Sequence, residues 1–229
     1  MILRNLAFNR RILREVGCVG SRPTLRSMSA GCWKCGTATR PLELFCPADS
    51  CGAVQSLELH QINAFDLFRV DHYYDLDQKA LETNFKEIQK QLHPDKFTTK
   101  STPEREASNT TSSTANQAYQ ILRSPISRAE YMLKESFGID FDETKSYEDS
   151  ELMMEVFDLR ESIQESEEGE ELQSLLLQLR AEVQEQSKVF AHNMTESGRS
   201  EEERDKALRS AVRLRYYAKM VEEIEQKLP

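Results

Sequence analysis

Apolar residues recur every three or four positions along much of the chain, which is the spacing of one face of an α-helix. The first such stripe consists of Leu81, Phe85, Ile88 and Leu92. Pro94 ends it, because a proline cannot donate the next backbone hydrogen bond of a helix. A polar stretch follows, and Asn116–Leu122 then has a second helical pattern. The pattern predicts an antiparallel helical hairpin with a polar tip.

Shorter helical patterns lie on both sides of this hairpin. Asn63–Phe68 is a short apolar segment in which Asn63 is placed to cap a helical turn, and its aromatic residues are expected to pack under the hairpin. Ile126–Leu133 begins another helix, and Gly138 is placed to end it.

Three further apolar stripes follow residue 150. The first consists of Leu152, Val156, Leu159 and Ile163. The second consists of Leu172, Leu176, Leu179, Val183 and Phe190. The third consists of Leu214, Tyr217, Val221, Ile224 and Leu228. Three apolar faces are enough to close a core, so we predict an antiparallel three-helix bundle over residues 147–229 and an all-α fold for the chain.

Composition narrows the class of partner. The 229 residues are 38% hydrophobic and 30% charged, and no apolar run is long enough to span a bilayer, so we predict no membrane insertion. The net charge is −9, but residues 1–27 hold six arginines and one acid. The remaining 24 basic and 38 acidic residues give the rest of the chain a charge of −14. Such an acidic body argues against a nucleic acid partner.

The arginine-rich segment at the start has the composition of a targeting sequence. Its arginines alternate with apolar residues, and serines follow, as in mitochondrial transit peptides. We therefore interpret residues 1–30 as a transit peptide that directs the chain to the mitochondrial matrix. A disordered basic tail is the alternative, and a cytoplasmic pool is left open.

Residues 31–58 contain four cysteines at the spacing of a zinc knuckle. The cysteines are Cys32, Cys35, Cys46 and Cys51, and each pair is followed directly by a glycine. Four thiolates fill a tetrahedral zinc shell and leave no position for water, so the predicted zinc is structural. Two disulfides or a redox pair are the alternatives. A reducing matrix disfavours disulfides, and no strand and helix typical of a thioredoxin-like site surround the cysteines.

The hairpin tip carries the sequence His93-Pro94-Asp95. In this context it resembles the J-domain family of DnaJ-like co-chaperones. The resemblance implies that His93, Pro94 and Asp95 engage an ATP-dependent chaperone of the seventy-kilodalton heat-shock class and stimulate its ATPase. It also implies that Lys86 and Lys90 supply positive charge for steering. The sequence has no phosphate-binding glycine loop, so we expect this chain to bind no nucleotide and not to be an enzyme.

A second resemblance is narrower. Arg128-Ala129-Glu130-Tyr131, shortly after Leu122-Arg123-Ser124-Pro125, is similar to the HscB-type branch that serves iron-sulfur cluster assembly. It implies a J-domain over residues 60–138 and a scaffold-binding bundle over 147–229. Residues 139–146 have no sustained apolar period and include Asp140, Asp142 and Glu143, so we predict a linker there. The cysteine module fits animal members of that branch.

The segment Leu152–Glu161 is similar to the part of this family that contacts the cluster scaffold protein. The residues implied are Met153, Met154, Phe157, Asp158, Glu161 and Glu165, with Arg215 and Tyr216 from the last helix. The alternative for the apolar members is that they complete the core or pack on the J-domain.

The resulting hypothesis is a co-chaperone that binds the scaffold protein, delivers it to the mitochondrial seventy-kilodalton chaperone and promotes cluster transfer. Two alternatives stay open. One is a J-domain protein for another mitochondrial client, and the other is a zinc-thiol redox enzyme. Weak self-association is also left open.

Overall fold

A computed structural model describes residues 31–140, 150–166, 169–195 and 200–228. The predicted transit peptide and residues 141–146 of the predicted linker lie outside these ranges. Within them the fold is all-α, as predicted, and the only β-structure is two isolated antiparallel bridges, Gly31 with Ala38 and Phe45 with Val54. No helix of the described part is long and apolar enough to cross a membrane.

The described chain forms a cysteine module (residues 31–58), a hairpin unit (residues 59–137) and a bundle unit (residues 150–228). The helices are α1 Ala64–Leu67, α2 Gln78–Gln91, α3 Thr102–Arg123, α4 Pro125–Phe137, α5 Ser150–Glu165, α6 Gly169–Thr195 and α7 Glu201–Lys227. Two 3-10 turns, Leu59–Gln61 and Pro94–Lys96, precede α1 and α3.

Helices α2 and α3 form the predicted hairpin. The Asp77 carboxylate caps α2 by accepting hydrogen bonds from the backbone N–H groups of Lys79 and Ala80. The α2 stripe faces inward, and Phe85 stacks on Tyr119 of α3 with ring centroids 4.1 Å apart. Asn63 caps α1 as predicted, since its side chain accepts from the backbone N–H of Phe65. Gly138 ends α4 at φ 66°, a conformation that favours glycine.

Helix α3 begins 14 residues before the apolar pattern that indicated it. Ser101 and Glu104 form a capping box at its start, in which the Glu104 carboxylate accepts from the Ser101 backbone N–H. Three of its hydroxyl residues, Ser108, Thr111 and Thr114, are buried.

The bundle unit has the predicted three-helix core. Its buried residues are Leu152, Val156, Ile163, Leu172, Leu176, Leu179, Val212, Tyr217, Met220 and Ile224. The Tyr217 hydroxyl also donates a 2.7 Å hydrogen bond to the Glu155 carboxylate, which ties α7 to α5.

Two stripe residues assigned to the bundle core lie elsewhere. Phe190 and Leu214 are completely buried, but they belong to the core of the hairpin unit. The Phe190 ring packs edge-on against Tyr74, with centroids 4.8 Å apart, and the Arg128 guanidinium lies 4.9 Å from the centre of the Tyr74 ring. The prediction failed there because periodicity gives the buried face of a helix but not the neighbour that buries it. The bundle unit therefore contributes residues to the core of the hairpin unit and also has a second core of its own.

Candidate functional site

The His-Pro-Asp tip is an exposed turn with a buried anchor. Pro94–Lys96 forms a single 3-10 turn, and His93 Nδ1 accepts a 3.3 Å hydrogen bond from the Asp95 backbone N–H. The Asp95 carboxylate lies 3.4 Å from the same nitrogen. The two side chains are 58% and 85% exposed, whereas Phe97 is buried in the core below them. The turn therefore holds an imidazole and a carboxylate at the surface above a buried aromatic residue.

The two predicted steering lysines lie on the exposed face of α2, one turn apart. Lys86 forms a 2.6 Å ion pair with Glu82, which raises the pKa of the lysine. Lys90 is in the last turn of α2, next to the tip. Both are at the surface, as steering would require.

The predicted scaffold face is largely exposed on α5. Met154 and Phe157 are 70% and 68% exposed, which is high for large apolar side chains. The acidic members of the predicted set, Asp158, Glu161 and Glu165, are exposed on the same helix. Met153 instead packs partly against the bundle core, so the alternative of core packing describes it better.

The two α7 residues of the predicted set are less accessible. The Arg215 side chain is mostly buried and its guanidinium lies 3.6 Å from the Glu130 carboxylate of α4. Tyr216 packs partly against the bundle core. In the chain alone Arg215 therefore bridges the bundle unit and the hairpin unit. A scaffold contact for either residue stays a prediction.

The four cysteines converge on one point. The sulfurs of Cys32 and Cys51 are 3.9 Å apart, those of Cys35 and Cys46 are 3.5 Å apart, and all four ligand atoms lie within 4.8 Å of one another. A Zn–S distance of about 2.3 Å in a tetrahedron places sulfurs roughly 3.8 Å apart. The sulfur positions and the all-thiolate donor set therefore fit one zinc ion. Held this way, the ion would link the two bridged loops of the module as a structural centre.

The surroundings of the cysteines act in both directions: hydrogen bonds lower the pKa of the Cys32 and Cys35 thiols, whereas burial and the neighbouring thiols raise the pKa of Cys46 and Cys51. Gly36 and Gly52 have φ values of 76° and 55°, which turn the chain immediately after each pair. Burial raises the pKa of the Cys32 thiol, but hydrogen bonds from the backbone of Cys35 and Lys34 lower it by more, to about 6. The thiolate is the form that binds metal, so the lowered pKa suits Cys32 to metal binding at neutral pH.

The cysteine module docks on α3, which the sequence did not indicate. The Thr111 hydroxyl donates to the Gln55 carbonyl at 2.8 Å and accepts from the Leu57 N–H at 3.1 Å. The Thr114 hydroxyl donates to the Leu57 carbonyl at 2.7 Å. Two side chains of α3 thus hold the extended end of the module. The Ser101–Glu104 capping box marks the start of α3 in the sequence, but it does not indicate that the cysteine module packs there.

A salt bridge joins the same two parts. The Lys34 ammonium lies 3.0 Å from the Glu104 carboxylate, and the Ser101 hydroxyl donates to that carboxylate at 2.7 Å. These hydrogen bonds, first from Ser101 and then from Lys34, lower the pKa of Glu104 to about 2.

We expect Glu104→Gln to lower stability at neutral pH by an amount that disappears in acid. A carboxylate whose pKa is lowered by folding stabilises the fold above its unfolded pKa and loses that contribution as the pH falls through the folded pKa. The difference in free energy of unfolding between wild type and variant should be on the order of 1 kcal/mol above pH 5. It should shrink toward zero near pH 2. Urea unfolding of both proteins, each prepared without bound metal, measures it over this range. A difference independent of pH would contradict the assignment.

A helical hairpin with an exposed His-Pro-Asp tip, joined to a helical bundle, defines a co-chaperone of the J-domain class. A family model described as the HSCB C-terminal oligomerisation domain matches residues 148–225. An iron-sulfur cluster co-chaperone protein HscB homolog of Arabidopsis thaliana is 34% identical over 199 residues, which cover 87% of this chain and 75% of the relative. The co-chaperone protein HscB of Proteus mirabilis is 35% identical over 162 residues, which cover 70% of this chain and 92% of the relative. The chain belongs to the HscB co-chaperone family.

A solved structure agrees with this family. The crystal structure of human co-chaperone protein HscB superposes with a TM-score of 0.76 at 26% sequence identity, covering 86% of this chain and 97% of that chain. The match extends beyond the region of the family model, since 86% of the chain is more than the bundle unit alone.

Proposed function

We propose that this chain is a co-chaperone of iron-sulfur cluster biogenesis. Its bundle unit binds the cluster scaffold protein, and its hairpin unit docks on the mitochondrial seventy-kilodalton heat-shock chaperone and stimulates ATP hydrolysis there. The observation that carries this proposal is that one chain exposes two separate surfaces. They are the His93 tip and the face of α5 that contains Met154 and Phe157. The location we propose is the mitochondrial matrix, as the arginine-rich start of the sequence suggests.

The tip acts by binding. His93 and Asp95 form an exposed pair on a turn whose base is buried, so little conformational entropy is lost when a partner engages them. Lys86 and Lys90 add positive charge on the adjoining helix, which attracts an acidic partner surface and raises the association rate. ATP is bound and hydrolysed by the chaperone, and this chain supplies the contact that accelerates its turnover.

The α5 face fits a partner with an apolar patch and a basic rim. Met154 offers a flexible apolar side chain, and Phe157 offers a large aromatic one on the next turn of the same helix. Exposed anchors of this kind carry much of the binding energy of interfaces. Asp158, Glu161 and Glu165 line the same helix and add negative charge. The proposed scaffold therefore contacts α5 through apolar side chains and bears cations around them.

The shared core links these two surfaces mechanically. Phe190 and Tyr74 join α6 to the hairpin unit, and Arg215 with Glu130 joins α7 to α4. A scaffold bound on α5 is then held near a chaperone bound at the tip. Tethering of this kind raises the effective concentration of one partner for the other, so modest affinities produce an efficient ternary complex.

The test of this function is single-turnover ATP hydrolysis by the mitochondrial chaperone. It is measured alone, with this chain, with the scaffold protein, and with both together. We expect stimulation by the chain that rises more than additively when the scaffold is present. Stimulation without this synergy would indicate a J-domain protein for another client. No stimulation would overturn the proposal.

We expect the double substitution Met154→Ser and Phe157→Ser to weaken scaffold binding by about 2 kcal/mol or more, roughly 30-fold in Kd. The loss follows from removing two exposed apolar anchors, and the fold should be unaffected because neither side chain is buried. Isothermal titration with the scaffold protein measures the affinity. Leu177→Ser is the matched control, since Leu177 is 66% exposed on α6 and outside the proposed face. Equal losses in both proteins, or none in a folded double variant, would remove α5 from the interface.

A further inference from the structure

The first turn of α3 is in contact with the cysteine module through one ion pair. Lys34 lies between two of the cysteines, Cys32 and Cys35, and its ammonium reaches Glu104 in the first turn of α3. The Glu104 side chain is only 9% exposed although it is charged. A buried carboxylate needs a cation or hydrogen-bond donors to offset its lost hydration, and here the cation comes from the metal-binding loop.

The same carboxylate sets the start of α3. Glu104 accepts from both the hydroxyl and the backbone N–H of Ser101, which completes the capping box. The loop before Ser101 is a series of short turns, because the Lys100 N–H donates to the Phe97 carbonyl and the Phe97 N–H donates to the Pro94 carbonyl. Lys34 is therefore connected to the His-Pro-Asp tip by consecutive polar contacts over a short stretch of chain.

A second contact connects the module to α3 two helical turns further on. The Gln55 side chain donates to the Cys32 sulfur at 3.4 Å, and the Gln55 backbone carbonyl accepts from the buried hydroxyl of Thr111. Glu104 and Thr111 are seven residues apart, so they lie on the same face of α3. The first contact comes from Lys34, two residues after Cys32. The second runs from the Cys32 sulfur through Gln55.

From this geometry we infer that the cysteine module braces the chaperone-docking tip and that Lys34 and Thr111 are the positioning residues of the brace. A zinc ion held by the four thiolates fixes the Cys32–Cys35 loop. The fixed loop presents Lys34 to Glu104 and Gln55 to Thr111, which keeps the first turns of α3 and the preceding loop in one conformation. When the ion is absent the four sulfurs are no longer tied together and the brace loosens. Zinc occupancy thereby controls the order of the tip.

Hydrogen exchange of the full zinc-loaded chain tests this inference without any partner protein. We expect Lys34→Met to raise amide exchange over residues 97–108 about threefold to tenfold, the effect of losing one hydrogen bond to a charged group in a partly exposed pair. Lys34→Arg keeps the charge and the reach, and should restore wild-type exchange. Lys188→Met removes an exposed ion pair with Glu185 on α6, away from the module, and should leave this segment unchanged. Zinc content is measured in each protein.

Metal removal completes the test. Chelation should raise exchange over residues 97–108 in the wild type and add little in Lys34→Met, because the substitution has already removed the main contact. Thr111→Val, which keeps the side-chain shape, should raise exchange in the same segment independently. Wild-type exchange in zinc-loaded Lys34→Met would overturn the inference. So would an equal increase on chelation in the wild type and in Lys34→Met.

Discussion

Replacing His93 with glutamine is expected to abolish stimulation of the chaperone's ATPase while leaving the fold and scaffold binding intact. The His93 ring is exposed and its contacts are confined to Asp95 within its own turn, so the change in stability should stay within about 0.5 kcal/mol. Glutamine removes the imidazole that we propose the chaperone recognises. Single-turnover hydrolysis at saturating scaffold measures the loss, which should bring the rate back to that of the chaperone with scaffold alone.

The matched control for this substitution is His60→Gln. His60 is also exposed and lies 3.3 Å from a carboxylate, that of Glu58, but it is in the 3-10 turn before α1 and away from the tip sequence. It should stimulate like the wild type. Full stimulation by His93→Gln, with scaffold binding unchanged, would show that the tip does not act through this side chain.

Replacing Phe190 with alanine is expected to destabilise the chain by about 3–5 kcal/mol, the cost typical of deleting a buried aromatic ring. Phe190 is completely buried between α6 and the hairpin unit, where it contacts Tyr74. The resulting cavity lies at the junction of the two units, so their unfolding should also become less cooperative. Urea unfolding followed by circular dichroism measures the free energy of unfolding, and hydrogen exchange shows whether the units then open separately.

Val189→Ala is the control at the neighbouring position. Val189 is 37% exposed on the same helix, and its truncation should cost about 1 kcal/mol or less. A Phe190→Ala variant that is destabilised no more than Val189→Ala would show that the junction contributes little to stability. The proposal that the two binding surfaces are held together by a shared core would then fail with it.

Sequence patterns predicted which segments are helical better than they predicted which segments pack against each other. The apolar stripe of α2, the Asn63 cap and the Gly138 stop are local features, because each depends on residues within one or two turns, and the structure confirms all three. The cysteine spacing predicted a four-sulfur site for the same reason, and the sulfurs converge. Apolar periodicity does not reveal the early start of α3, because its first turns are largely polar, and the signal that marks this start is the Ser101–Glu104 capping box.

The sequence by itself determined the all-α class, the helical repeat of each stripe, the exposed His93-Pro94-Asp95 tip and the four cysteines that converge in the module. Each of these follows from backbone geometry or from chemistry between residues close in the chain. Only the tertiary structure decided what each buried face meets. It placed Phe190 against the hairpin unit, turned Arg215 toward Glu130 and seated the cysteine module on the hydroxyl face of α3. These contacts join residues 56 to 116 positions apart, and a local pattern specifies that a side chain is buried but not which distant surface covers it.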